Sequence, residues 1–436
     1  MLFAIFLPGC VFSQSSAVSS RAVSLEQIKK QIHRAAPAVL KVGAARVEIT
    51  PPVGTPLAGY SKRHGKPSTG IRDPLYVRAV AISDDEDTVV IVSADLLVFP
   101  QPVAEMILDR ISRETGLPRW AIILSATHTH SGSGAIGHGF LHEQVFGAYD
   151  PKIVEGIAGR ILWSVKQAME KRQPVRWALV RQEDFLARRM ENRAVAQGPV
   201  DPSLSAVLFE EQKGTPAVVL VHAAAHPTLM DSQDLRFSGD FPGELCRLLE
   251  SAYPGSVCLF LNEAAGDTRP KDSIGKDAEE RIQRFGGLLA EGVTALLSRA
   301  ELRAKGSVAV WGAWYSLPPP QIWLGWIPLS PQIGRMMRPT SVFLSLAALD
   351  DLLWVPLSAE MTAEVGRQLT EKLSRFCVQP LLVGYANGYI GYVVTAERYN
   401  NRSYEDSMNW YGPGLGDLLI GRIQELASLY FEKSSR

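Results

Sequence analysis

Cysteine is scarce in this chain, with four in 436 residues. Cys246, Cys258 and Cys377 are scattered without a C-x-x-C pair, which excludes both a zinc knuckle and a disulfide framework. Cys246 follows "FPGEL" on a predicted helix and Cys258 sits in the apolar run "SVCLFL", so both read as core residues. An excess of either charge is also missing: Lys+Arg and Asp+Glu stand at 45 each. No field therefore gathers nucleic acid over the whole surface, and no nucleic-acid partner is expected. Histidine is rare too, at eight residues, which makes its placement informative.

Long hydrophobic runs are absent as well. The apolar stretch opening "MLFAIFLPGCVFSQSSAVSS" holds about nine residues, where a membrane span needs about twenty. It reads as the h-region of an export signal over 1–22, without the usual basic n-region. "LPGC" resembles a lipobox in which Cys10 would be acylated. The expectation is an exported protein, periplasmic, membrane-anchored or extracellular, with membrane association through an N-terminal lipid anchor.

What is present is a globular composition, 46% hydrophobic and 21% charged, long enough for a large core. A polar helical segment over 23–39 precedes "AVLKVGAARVEITPPVG", which alternates like a strand until Pro51-Pro52. The β-branched runs "LYVRAVAI" and "TVVIVSADLL" flank the turn "SDDED" and predict a hairpin. "PVAEMILDRISRETG" has helical apolar spacing and stops at a glycine. "WAIILSATHTH" reads as a buried strand that delivers histidines at its end. A helix at 151–172, strands "VRWALVRQ", "SAVLFEE" and "AVVLVHAAAH", and helices "GDFPGELCRLLESAY" and "AEERIQRFGGLLAEGVTALLSRA" follow. Hairpins are frequent and no strict βαβ rhythm holds, which predicts mixed layered sheets flanked by helices, not a Rossmann fold or a barrel. The region 306–355, rich in Trp and Pro, reads as an irregular core flap in preference to an apolar lip.

The chemistry concentrates in "SATHTHSGSG". In a strand, positions i and i+2 share a face, so His128 and His130 would meet one site, and the following glycines let backbone and solvent approach closely. His226, before Pro227, ends another apolar strand. A catalytic zinc needs a further ligand and an open position. From the residues alone, Asp95, Asp240, Asp267 and Glu360 are all candidates.

The order of motifs resembles the catalytic domain of the neutral/alkaline (non-lysosomal) ceramidases. "VGAARVEITPP…LAGY", "GIRDPLYVRAVAI", "VSADLL", "SATHTHSGSG", "ENRAV", "HPTLM…SGDFPGEL", "AAGDTRP", "SAEMTAEVGRQL" and "GYANGYIGYVVTAERY…SYE…YGP" fall in the family order from about residue 40 onward. The resemblance implies one catalytic α/β domain over 40–436, without the family's C-terminal immunoglobulin-like domain. It implies a zinc ion held by His128, His226, Glu360 and Tyr392, with His130, Arg193 and Tyr404 at the reacting centre. The implied activity is hydrolysis of amide C–N bonds by metal-activated water, on a small-molecule or lipid amide.

One position departs from the pattern. The family's "N-x-G-D-x-S-P" reads "NEAAGDTRP" here, with Arg269 in place of the serine. Arg269 is expected on the loop near the pocket. There it either pairs with Asp267 or Asp240, or faces the pocket and selects an anionic substrate. Two other readings follow from that departure: a zinc hydrolase of a small polar or anionic amide or ester, and a catalytically silent metal-binding protein.

Overall fold

The computed structural model describes residues 25–432 apart from 322, 325, 326, 329, 377 and 402. The expected export signal over 1–22, with Cys10, and Cys377 lie outside the described residues.

Eight strands form the larger sheet, in the order Val257–Asn262, Pro216–Ala223, Leu204–Glu211, Gln173–Gln182, Lys41–Glu48, Tyr76–Ser83, Thr88–Ala94 and Ile122–Ala126. The inner pairings are antiparallel, and the predicted hairpin is there, with Val77 opposite Ala94 and Ser83 opposite Thr88. Each edge strand runs parallel to its neighbour. A parallel neighbour requires a crossover, and a helix supplies it at both edges: Gln101–Thr115 on one, Asp240–Ala252 on the other. Both halves of the sheet therefore end in a hairpin, a helix and a parallel strand.

A second sheet holds Val308–Ser316, Ser341–Leu349, Leu352–Pro356 and Gln379–Val383, in that order. Its last two strands are parallel, joined across the helix Ala363–Ser374.

Period-two alternation explains how the layers assemble. Val80 and Ile82 turn one way, into a cluster shared by the two sheets with Trp177, Leu220, Val310 and Trp354. Val77, Ala79 and Ala81 turn the other way, beneath helices Gln101–Thr115 and Pro151–Glu170. The far half of the large sheet is covered by Asp240–Ala252 and Ala278–Leu297. The outer face of the second sheet is covered by Ala363–Ser374 and Leu415–Phe431. The result is four layers, helix on sheet on sheet on helix, which is the mixed layered architecture expected from the sequence.

Within the 306–355 region, Trp311 and Trp354 are buried core residues, in line with the core reading for those positions. Cys246 and Cys258 are free and buried, as expected. No helix among the described residues is long and apolar enough to cross a membrane.

Candidate metal centre and its pocket

The parallel strand pairs at the two edges of the large sheet bring the histidines to one place. After Ile122–Ala126 the chain turns to present His128 and His130, and after Pro216–Ala223 it presents His226. The expected strand alternation at the histidine pair does not hold. The strand stops at Ala126, and His128 adopts a left-handed backbone with φ 71°. Hydrogen bonds from Thr127 N to Ala94 O (2.8 Å) and from His128 N to Leu96 O (3.0 Å) fix that turn. The two imidazoles meet the same site because the chain curls, not because residues i and i+2 share a face. Gly59 makes room for the curl: at φ +111° a Cβ there would lie 2.8 Å from three atoms of His130.

One ligand atom from each of His128, His130 and His226 lies within 4.8 Å of the others, a group that could hold a metal ion. His226 Nε2 is 3.2 Å from His128 Nε2 and 3.1 Å from His130 Nε2. His128 Nδ1 donates to Leu97 O at 2.8 Å, and His226 Nδ1 donates to Ala265 O at 3.1 Å. A carbonyl only accepts, so each Nδ1 carries a proton, and in a neutral imidazole the Nε2 then faces its neighbour with a lone pair. Burial drives the His226 and His130 imidazoles well below their usual pKa, in favour of the neutral form. Two lone pairs pointed at each other at 3.2 Å repel, and a shared cation removes the repulsion. The donor set therefore fits a metal.

Of the four acids left open by the residues, the fold brings Glu360 to the histidines. Its Oε1 lies 2.6 Å from His128 Nε2, and its Oε2 accepts from Tyr389 Oη at 3.2 Å. The other three are spent elsewhere. Asp95 accepts from Tyr76 N and pairs with Arg78. Asp240 accepts from the backbone N–H groups of Leu229 and Met230. Asp267 accepts from Ala363 N, Asn192 and Arg398. Glu360 and Tyr392 stand directly opposite each other in a two-residue parallel pairing, so one register places both candidates.

Arg193 Nη2 donates to Tyr392 Oη and to Gly266 O, each at 2.8 Å, and its Nε lies 3.4 Å from Glu405. It thus touches Tyr392 directly, beside the cluster, and is not among the described residues that line the pocket. Tyr404 lines the pocket with its ring 5.7 Å from that of Tyr392. His130 differs from its neighbours in one respect: its buried Nδ1 has no hydrogen-bond partner among the described residues.

Beside the cluster opens a pocket with a cavity volume of about 120 Å³. Its walls include Leu97, Val98, Pro100, Val145, Phe146 and Trp410, together with Glu360, Tyr389, Tyr392, His128 and His130.

The structure adds three side chains that the sequence did not single out. Tyr385 stacks on His128 with ring centroids 3.8 Å apart, and Tyr389 holds Glu360. The crowding of tyrosines in "GYANGYIGY" was the available signal. Arg63, buried, donates to the carbonyls of Ala58, His130, Asp231, Ser232 and Asp234, and so braces the histidine loop. His142 lines the pocket as well, whereas His222 is fully buried and is not among the lining residues. Arg269 falls outside the pocket lining. It is part-exposed and pairs with Glu191 at 2.8 Å and Asp272 at 3.4 Å. The pairing expectation was right in kind, but the partners are Glu191 and Asp272, not Asp267 or Asp240. The reason is that the segment Thr268–Pro270 is zipped to Met190–Asn192, which puts Arg269 opposite Glu191.

Comparison with known proteins identifies the family and the fold. Residues 40–281 match the family model for neutral/alkaline non-lysosomal ceramidase, N-terminal. Neutral ceramidase A of Dictyostelium discoideum is 24% identical over 256 residues, 53% of this chain and 36% of that protein. Neutral ceramidase of Pseudomonas aeruginosa is 26% identical over 232 residues, 49% of this chain and 34% of that protein. The matched segments thus span about a third of each relative's length. The crystal structure of the Pseudomonas aeruginosa enzyme superposes with a TM-score of 0.79 at 20% identity, covering 91% of this chain and 75% of that one. A ceramidase complexed with C2 superposes at 0.80 and 19% identity, covering 91% and 76%. The match extends over more than half of the chain, and the same fold runs through nearly all of it. The chain belongs to the neutral/alkaline non-lysosomal ceramidase family.

Proposed function

We propose that this protein is a zinc-dependent hydrolase of amide bonds acting on N-acyl lipid amides. The observation that carries the reading is the convergence of His128, His226 and Glu360, with Tyr392 in register beside Glu360, at an apolar-walled pocket. Its relatives are ceramidases, which supports the choice of substrate class. The four ligands would be His128 Nε2, His226 Nε2, a Glu360 carboxylate oxygen and Tyr392 Oη. Zinc bound there would polarise the scissile carbonyl and supply a water nucleophile near neutral pH.

The chain's own residues then divide the remaining work. Leu97 O and Ala265 O hold the two ligand imidazoles in one tautomer and one orientation. His130 is the imidazole whose Nδ1 no backbone carbonyl holds, which suits a group whose protonation changes during turnover. In this reading His130 Nε2 takes a proton from the attacking water and passes it to the departing amine nitrogen. Tyr404 lends its phenolic O–H to the negative charge that develops on the carbonyl oxygen. Arg193 acts at one remove, by holding Tyr392 Oη in place. The apolar walls exclude water and accept the acyl chain.

The test is release of fatty acid from an N-acylsphingosine and from a short N-acyl amide, beside the variants His130→Ala and Tyr404→Phe. Both variants should keep their zinc and lose turnover, by about 10²–10³ for an oxyanion donor. Unchanged rates in both would remove these side chains from the reaction.

A further inference from the structure

The pocket has one charged wall residue that the reaction leaves unused. Arg338 follows the helix Pro331–Met337 and lines the same pocket as His128, Glu360 and Tyr404. Its guanidinium lies over the indole of Trp410, 3.4 Å from the ring centroid, and Trp410 is itself buried. A guanidinium laid flat on an aromatic face keeps its N–H donors in its own plane, free to meet a planar acceptor.

The other arginines near the site have their partners inside the protein. Arg193 serves Tyr392, Gly266 O and Glu405. Arg398 serves Asp267 and Glu405. Arg63 serves five backbone carbonyls. Arg338 pairs with no carboxylate among the described residues, and its buried Nε has no hydrogen-bond partner there. Burial pulls its pKa down to about 10, which leaves it cationic at neutral pH while marking a charge the fold does not compensate. The charge balance of the pocket points the same way. Glu360 is its only carboxylate among the described lining residues, and that group belongs to the metal. With a divalent ion bound, the pocket carries a positive excess before substrate enters.

We infer that Arg338 is a specificity residue that receives a carboxylate of the substrate, so that the preferred substrates are N-acyl amides bearing a carboxylate on the amine half, such as N-acyl amino acids. For the reaction itself the inference rests on the hydrolase reading above; for binding it does not. Water adds its oxygen to the acyl carbon, the C–N bond breaks, and the water protons pass to the amine nitrogen. The products are a fatty acid carboxylate and a free amino acid. A neutral sphingoid amide would fill the apolar walls and leave Arg338 unpaired, at a cost to affinity.

The probes are N-dodecanoylglycine and its neutral primary amide, N-dodecanoylglycinamide. Each is paired with a ketone isostere in which a CH2 replaces the scissile N–H, so that nothing can be cleaved. Binding of the two isosteres to the metal-loaded protein is measured by calorimetry. The acid should bind about tenfold to hundredfold more tightly than the amide, the range of one charge-assisted hydrogen-bonded contact. Arg338→Gln should shrink that gap to about threefold or less, and Arg338→Lys, which keeps the charge and loses the fork, should fall between. Equal binding of acid and amide by the unmodified protein would overturn the inference. So would a gap that survives in Arg338→Gln, since the metal alone would then be holding the carboxylate. Cleavage of the two parent amides is followed in parallel. Failure to cleave either one counts against the hydrolase reading and leaves the binding comparison to judge Arg338 by itself.

Discussion

A His226→Ala protein is expected to lose its metal and its amide-cleaving activity together. His226 Nε2 is the central atom of the cluster, within 3.2 Å of His128 Nε2 and 3.1 Å of His130 Nε2. Its ring is held by Ala265 O, and its backbone N–H donates to Thr268 O at 3.2 Å, so it arrives already aimed. Loss of a partner that merely orients a ligand weakens metal binding by roughly 10–100-fold, and loss of the ligand itself should exceed that. The fold should survive, because the main-chain bond to Thr268 remains and the deleted ring packs among polar groups rather than in an apolar core. The measurement is metal per chain after gel filtration, with thermal unfolding as the control. A folded His226→Ala protein that keeps one tightly held metal would refute the ligand assignment.

The largest stability effect should come from Asp267→Ala. The side chain is completely buried, and both oxygens are engaged. Oδ1 accepts from Ala363 N at 2.8 Å, at the first residue of the helix Ala363–Ser374. Oδ2 accepts from Asn192 Nδ2 at 2.8 Å and from Arg398 Nη1 at 2.5 Å. Arg398 is buried as well, and Glu405 at 3.4 Å is its next acid. Truncating Asp267 leaves a buried guanidinium short of its main partner and a helix N-terminus short of its acceptor. Breaking a buried pair in this way costs about 3–5 kcal/mol, read as a drop in the denaturation midpoint. Asp267→Asn keeps one acceptor and should cost less. A loss for Asp267→Ala under about 1 kcal/mol would show that the network is not a structural keystone.

Much of the fold was legible because burial imposes a period on the chain. Val77, Ala79 and Ala81 against Val80 and Ile82 is an alternation that only a strand covered on both faces would carry in apolar residues. The site was legible in its residue types but not in its geometry. His128 and His130 were found as a pair, yet the reason they converge is a left-handed residue that strand spacing cannot foretell. Asp95, Asp240, Asp267 and Glu360 all follow or end buried segments, so the residues alone gave no reason to prefer one. The choice is made by the pairing of Glu360 with Tyr392, a register set across a helix and a strand. Arg269 was misplaced in its partners for the same reason: the strand that carries Glu191 lies far from it in sequence. The crowding in "GYANGYIGY" was the one local sign of Tyr385 and Tyr389, and Arg338 had none; their roles depend on what the fold sets beside them.

The central claim is that amide hydrolysis here depends on a metal held by this cluster. The most direct measurement strips the metal with a chelator, confirms its absence by elemental analysis, and restores zinc in steps while fatty acid release is followed. Activity should vanish with the metal and return in proportion to zinc, reaching its plateau at about one ion per chain, as expected for a single catalytic site. Cleavage that continues undiminished in protein shown to be free of metal would contradict the account.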